Sequence, residues 1–197
     1  MSVFQIYLKP GLEHVADIRN YDHILFIATL FIVYPLSQWK KILLLLTAFT
    51  AGHIMALILA SLKILSVSPG FVEFFFPALI FFSAIVNLFR KSEKFNPGIF
   101  KLKYLTASAF ALIHGMSFSS HLAGLGQEEN FFLPLLLYNI GIELGQMLII
   151  FTFTALSLLF VDLLKVKSRE WILFISGVAI GAALIMIADL LREYSVF

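Results

Sequence analysis

The sequence predicts an all-α polytopic membrane protein, a bundle of about six transmembrane helices with a short N-terminal interfacial segment. Three observations carry this. The 197 residues are 60% hydrophobic and only 13% charged, whereas a soluble domain carries about a quarter charged residues. Six stretches are apolar over about the 20 residues that a helix needs to cross a bilayer. The cations concentrate on alternate connections between those stretches.

The chain first offers residues 3–18, where Phe4, Ile6, Tyr7, Leu8, Leu12 and Val15 alternate with charges. That mixture suits a helix lying in the interface, broken near Pro10 and Gly11. No cleavable secretory signal is expected, because the apolar run Phe4–Leu8 is too short and Lys9-Pro10 interrupts it. The spans follow at roughly 21–37, 42–62, 71–89, 104–122, 131–161 and 171–191. Each must be a helix, because hydrocarbon offers its backbone no other hydrogen-bond partner. The fifth exceeds the bilayer's need, so it tilts or extends beyond the membrane. With no repeat, low-complexity tract or linker, residues 1–197 read as a single transmembrane domain.

Orientation follows from Lys and Arg. The connections after spans one, three and five carry Lys40, Lys41, Arg90, Lys91, Lys94, Lys101, Lys103, Lys165, Lys167 and Arg169, against Lys9, Arg19, Lys63 and Arg192 on the other side. Ten against four places the first group in the cytoplasm and both termini outside it. The loop with Glu128 and Glu129 has no cation and suits the external face. Gly141-x-x-x-Gly145 and Gly177-x-x-x-Gly181 predict close helix approaches on spans five and six. The formal charge of +2 does not suggest a nucleic-acid partner, and the absence of cysteine excludes disulfides, thiolate metal sites and cysteine nucleophiles.

Ionisable residues inside hydrocarbon are costly and mark function by default. Asp22-His23 opens span one, after His14. His53 lies in span two, and His114 in span four with Ser117 and His121 on its face. Asn139, Glu143 and Gln146 form a polar stripe on span five, while Glu73 and Asp189 lie at span ends. On the orientation above, His14, Asp22, His23, Glu73, His121 and Asp189 lie toward the outer side and His53, His114 and Glu143 near the midplane. The cytoplasmic halves supply hydroxyls and amides such as Thr47, Asn87, Thr106 and Thr152. A cavity open outward and floored near the midplane is the resulting expectation.

Each residue has a plainer reading. Asp22 caps a helix, His53 bridges two helices by hydrogen bonds, Glu143 packs in its neutral form, and His121 and Asp189 are solvated. Taken together, imidazoles and carboxylates on several helices suit one divalent transition metal, Zn²⁺, Ni²⁺ or Co²⁺, rather than the all-oxygen sites of Ca²⁺ or Mg²⁺. The expected ligands are His14, Asp22, His23, His53, His114 and Glu143.

Four motifs carry a family resemblance. They are His14…Asp22-His23-Ile-Leu-Phe, Thr47-Ala-Phe-Thr-Ala-Gly-His53, Phe110-Ala-Leu-Ile-His114-Gly115-Met-Ser-Phe and Tyr138-Asn-Ile-Gly-Ile-Glu143-Leu-Gly-Gln146. Their order and spacing over roughly residues 11–150 resemble the HupE/UreJ family. With only His114-Gly115 in place of a denser histidine motif, the chain looks closer to that family's second, more divergent branch. The resemblance implies a nickel or cobalt permease of a bacterial plasma membrane, working with a system that matures metalloenzymes such as hydrogenase or urease.

Three functions remain open to the sequence. A permease would take the metal from His14, Asp22 and His23 to His53, His114 and Glu143, then expose it to the cytoplasm by a conformational change. An intramembrane zinc hydrolase would hold Zn²⁺ on His23, His53 and His114, with Glu143 or Asp22 as base and a lipid or membrane peptide as substrate. It would do so without an H-E-x-x-H motif. A sensor or assembly factor would use the metal only for structure.

Overall fold

A computed structural model describes residues 3–19, 21–61, 64, 69–89, 97–122 and 132–195. Seven α-helices follow one another: α1 Val3–Ala16, α2 Tyr21–Phe31, α3 Trp39–Ser61, α4 Pro69–Leu88, α5 Pro97–Leu122, α6 Phe132–Ser157 and α7 Ser168–Ser195. Among the described residues there is no strand. Trp39–Leu59, Gly70–Leu88, Leu133–Leu163 and Ser168–Tyr194 are long and apolar enough to cross a bilayer, with mean hydropathy between 2.0 and 2.4. The protein is therefore an integral membrane protein. Arg90, Lys91, Lys94, Lys63, Glu128 and Glu129 lie outside the described residues, as do the side chains of Ser117 and His121.

The first expected span is the main departure. In place of a continuous helix over 21–37, α2 stops at Phe31. Pro35 is the cause: it disfavours helical backbone at Tyr34 and has no N–H to continue the ladder. Ile32 N–H closes the last α turn on Ala28, Tyr34 N–H bonds Phe31, and a 3₁₀ turn, Leu36–Gln38, leads into α3. Eleven residues rise about 16 Å, roughly half of a ~30 Å hydrocarbon core.

Helix α1, expected in the interface, is docked along α6. Gly141 accepts the backbone of Leu8 and Leu12, Gly145 that of Leu12 beside Val15, and Gly11 that of Tyr138; any Cβ at these glycines would collide with main-chain atoms. The first small-residue motif thus makes the close approach expected of it. The second does not, because Gly177 and Gly181 have nothing within 4 Å of their Cβ positions. Helix α1 advances in the direction of α6, and α2 runs against α5, with His23 beside His114 and Thr29 beside Lys103. The two short helices therefore succeed each other along the bundle, α1 beside α6 and α2 beside α5.

Docking by bare backbone makes a sharp prediction. Gly141→Leu should destabilise the fold by about 1–3 kcal/mol through overpacking and also weaken metal binding, since α1 carries His14. Thermal unfolding in detergent, paired with a metal titration, checks both. Gly177→Leu, facing open space, should leave both unchanged.

Below the histidines, one phenylalanine from each of four helices fills the centre. Phe26 of α2 stacks on Phe110 of α5 at 4.0 Å, with Phe76 of α4 at 4.9 Å and Phe49 of α3 at 5.7 Å from the same ring. Beneath them is a buried polar layer. Lys103 donates to the Thr29 carbonyl at 2.8 Å, joined there by Asn87 Nδ2, while the Thr29 hydroxyl bonds Ser83. Arg169 donates to the Asn87 and Leu88 carbonyls. Both cations meet helix C-terminal carbonyls, whose orphan acceptors and negative dipole end favour them. Lys103, counted from sequence with a loop, is 1% exposed inside the bundle because α5 begins at Pro97, a full two turns earlier than the apolar run indicated.

Candidate metal centre

The interruption between α1 and α2 puts two helix ends against the middle of α5. His14 lies in the last turn of α1, and Asp22 and His23 lie in the first turn of α2. His14 Nε2 is 2.7 Å from His114 Nε2, and His23 Nε2 is 3.0 Å from the same atom. The three rings offer nitrogens that all lie within 4.8 Å of one another, the one group of three or more ligand-type side chains this close among the described residues. His23 and His114 are buried and His14 is half-buried. Metal–nitrogen bonds of about 2.0–2.1 Å would set tetrahedral ligand nitrogens about 3.3 Å apart. The two spacings to His114 Nε2, 2.7 and 3.0 Å, need lengthen only slightly to reach that.

Asp22 takes a different position from the other groups. Its Oδ1 accepts from His23 Nδ1 at 2.9 Å and from the His23 backbone N–H at 2.8 Å. A carboxylate on Nδ1 fixes the tautomer whose Nε2 lone pair points away from it, toward His114, and raises that nitrogen's basicity. Expected among the ligands, Asp22 is bonded here to the ring of one of them.

His53 stands alongside. Its ring lies 5.5 Å from that of His114, in near-parallel stacking, and its Nδ1 bonds Asn139 Oδ1 at 3.1 Å. Gly115 makes this possible, since a Cβ there would press on the His53 carbonyl and the Ala56 side chain. His53 Nε2 is fully buried and has no hydrogen-bond partner among the described residues. Glu143 lies outside the three-histidine cluster; it is half-buried on the α6 face that also carries Asn139 and Gln146. The six residues singled out from sequence thus divide into a converging trio (His14, His23, His114), a carboxylate bonded to one of them (Asp22), a neighbouring ring (His53) and a carboxylate outside the cluster on α6 (Glu143).

Sequence reading passed over three features. Asn139 appeared only as part of a stripe, yet it orients His53. Lys103 is a buried cation three helical turns from His114. Asp162 lines a cavity beside the end of α2, a part of the spans where the sequence pointed only to hydroxyls and amides. The spacing of Lys103 and His114, eleven residues apart on one α5 face, was a usable signal for the second of these.

Residues 1–189 match the family described as HupE / UreJ protein. No curated protein and no solved structure matches the chain.

Proposed function

The chain belongs to the HupE/UreJ family, and from that premise we propose that it is a membrane permease for a divalent transition metal of the nickel or cobalt kind. The observation that supports this reading best is the meeting of His14, His23 and His114 nitrogens at the break of an interrupted helix. Imidazole is the ligand type that late first-row divalent ions prefer, and broken helices recur in secondary transporters where a substrate ion is held at depth. The family's association with nickel and cobalt handling points the same way. Three imidazoles leave one coordination position for water or a further ligand, so the ion is held without being fully caged. We take the cluster to lie at depth and to open toward the outer face, with both termini outside the cytoplasm and the partner metalloenzyme-maturation system on the cytoplasmic side.

The hydrolase reading needs a carboxylate beside the open position. Asp22 is engaged with His23 Nδ1, and Glu143 lies outside the cluster, so the geometry supports transport better than catalysis.

Two measurements test the reading. Proteoliposomes enclosing a metal-sensitive dye should show Ni²⁺- or Co²⁺-dependent signal, reduced severely in Glu143→Gln; protein that holds metal yet passes none sinks the permease. Cysteine-free sequence makes topology testable too. Glu73→Cys should react with an impermeant thiol reagent from outside and Lys101→Cys from the cytoplasmic side only; the reverse pattern inverts the orientation.

A further inference from the structure

The question left by a permease is how the ion leaves. Directly below the histidines on the α5 side, the four clustered phenylalanines offer no ligand, and beneath them stands the buried Lys103 ammonium. A dication descending there would be stripped of water and driven toward a like charge in low dielectric, where repulsion is strong. The α6 side is different. Asn139, already bonded to His53, is followed on one helical face by Glu143 and Gln146. Gln146 is 1% exposed, and both its amide oxygen and its amide nitrogen lack hydrogen-bond partners among the described residues. Burying an unpartnered carboxamide costs on the order of 1–3 kcal/mol, a cost that packing alone would remove by placing leucine there.

The same face continues downward into a cavity of about 330 Å³. Ile150 is one turn below Gln146, followed by Phe153, Thr154 and Ser157, and all four line it. Its opposite wall is the segment after α2, where Pro35 ends the helix, and its lining includes the exposed carboxylate of Asp162 in the π-helical segment Leu158–Leu163. Wide π turns of this kind recur at functional sites.

We propose, resting on the permease reading, that the ion moves from the histidine cluster past His53 and along the Asn139–Glu143–Gln146 face of α6, and leaves through this inner cavity with Asp162 as its last carboxylate. Past His53 the imidazoles give way to the Glu143 carboxylate and then to the neutral Gln146 carboxamide, which holds a late transition metal loosely enough to release it to the exposed Asp162 carboxylate. The Gln146 amide is the transfer ligand between the deep site and the cavity, and its missing partner is the passing ion with its water. Lys103 and the phenylalanines close the competing descent.

The test compares Gln146→Leu and Asp162→Asn with the parent in Ni²⁺-loaded proteoliposomes, alongside elemental analysis of metal held by the purified proteins. Leucine fits an apolar interior, and Asp162 is exposed, so both variants should fold. The expected result is metal content equal to the parent in each, flux reduced at least tenfold in Gln146→Leu and several-fold in Asp162→Asn, and partial rescue by Gln146→Glu. Parent-like flux in Gln146→Leu overturns this route while leaving the permease standing. Absence of flux in the parent overturns both.

Discussion

His114→Gln should abolish stoichiometric metal binding, the largest effect expected of any single substitution in this protein. His114 Nε2 is the shared neighbour of the other two rings, at 2.7 Å from His14 and 3.0 Å from His23, so its removal leaves two imidazoles on separate short helices with nothing between them. Losing only an orienting partner behind a ligand costs about 10–100-fold in affinity; losing the central ligand must exceed that. Glutamine keeps much of the volume in a buried position, so the fold should survive, which size-exclusion and thermal unfolding would verify. His14→Ala should behave similarly but more mildly, because His14 is half-buried and enters from α1. The informative contrast is His53→Ala, which should keep its metal while losing flux. Loss of metal in His53→Ala together with retention in His14→Ala would show that the wrong three histidines have been grouped.

The second large effect is expected at Asp22. Its carboxylate has two tasks at once, accepting from His23 Nδ1 and from a backbone N–H at the start of α2. Asp22→Asn keeps an oxygen for the backbone bond, so stability should change by less than about 1 kcal/mol. It removes the negative charge that makes His23 a better ligand, so affinity should fall by about 10–100-fold. Asp22→Ala removes both and should add a loss of stability to the loss of affinity. Isothermal titration with Ni²⁺ and Co²⁺, beside unfolding curves in the absence of metal, separates the two tasks. Equal affinity in the parent and Asp22→Asn would assign Asp22 to capping alone.

These expectations depend on features of very different legibility. The membrane nature and helical class follow from composition, since a chain 60% hydrophobic with long apolar runs can satisfy its backbone in lipid only as helices. Helices α3, α4, α6 and α7 were readable for that reason, as each is one uninterrupted run. Part of the candidate cluster was readable as well. His14, Asp22-His23 and His114 are conspicuous because an ionisable group in hydrocarbon needs a reason to be there. The Gly141/Gly145 motif announced a close approach, although not that its partner would be α1.

What required the tertiary structure is everything set by the rotation and depth of one helix against another. Hydropathy carried α2 straight through Pro35, because it registers transfer energy and not the backbone restriction that ends the helix at Phe31. It also gave α1 no partner, because it cannot see that bare glycines on α6 give that helix a place to dock. His53 and Glu143 looked equal to His14 as ligands; a turn of helix either way decides which side chain meets His114 Nε2, and local sequence does not encode that angle. Lys103 counted as a loop cation until the carbonyl of Thr29, on another helix, supplied the acceptor that lets an ammonium be buried. Gly177 and Gly181 have the spacing of a contact and no contact, for the converse reason: small residues permit close approach, and only the packing of the whole bundle determines where approach occurs.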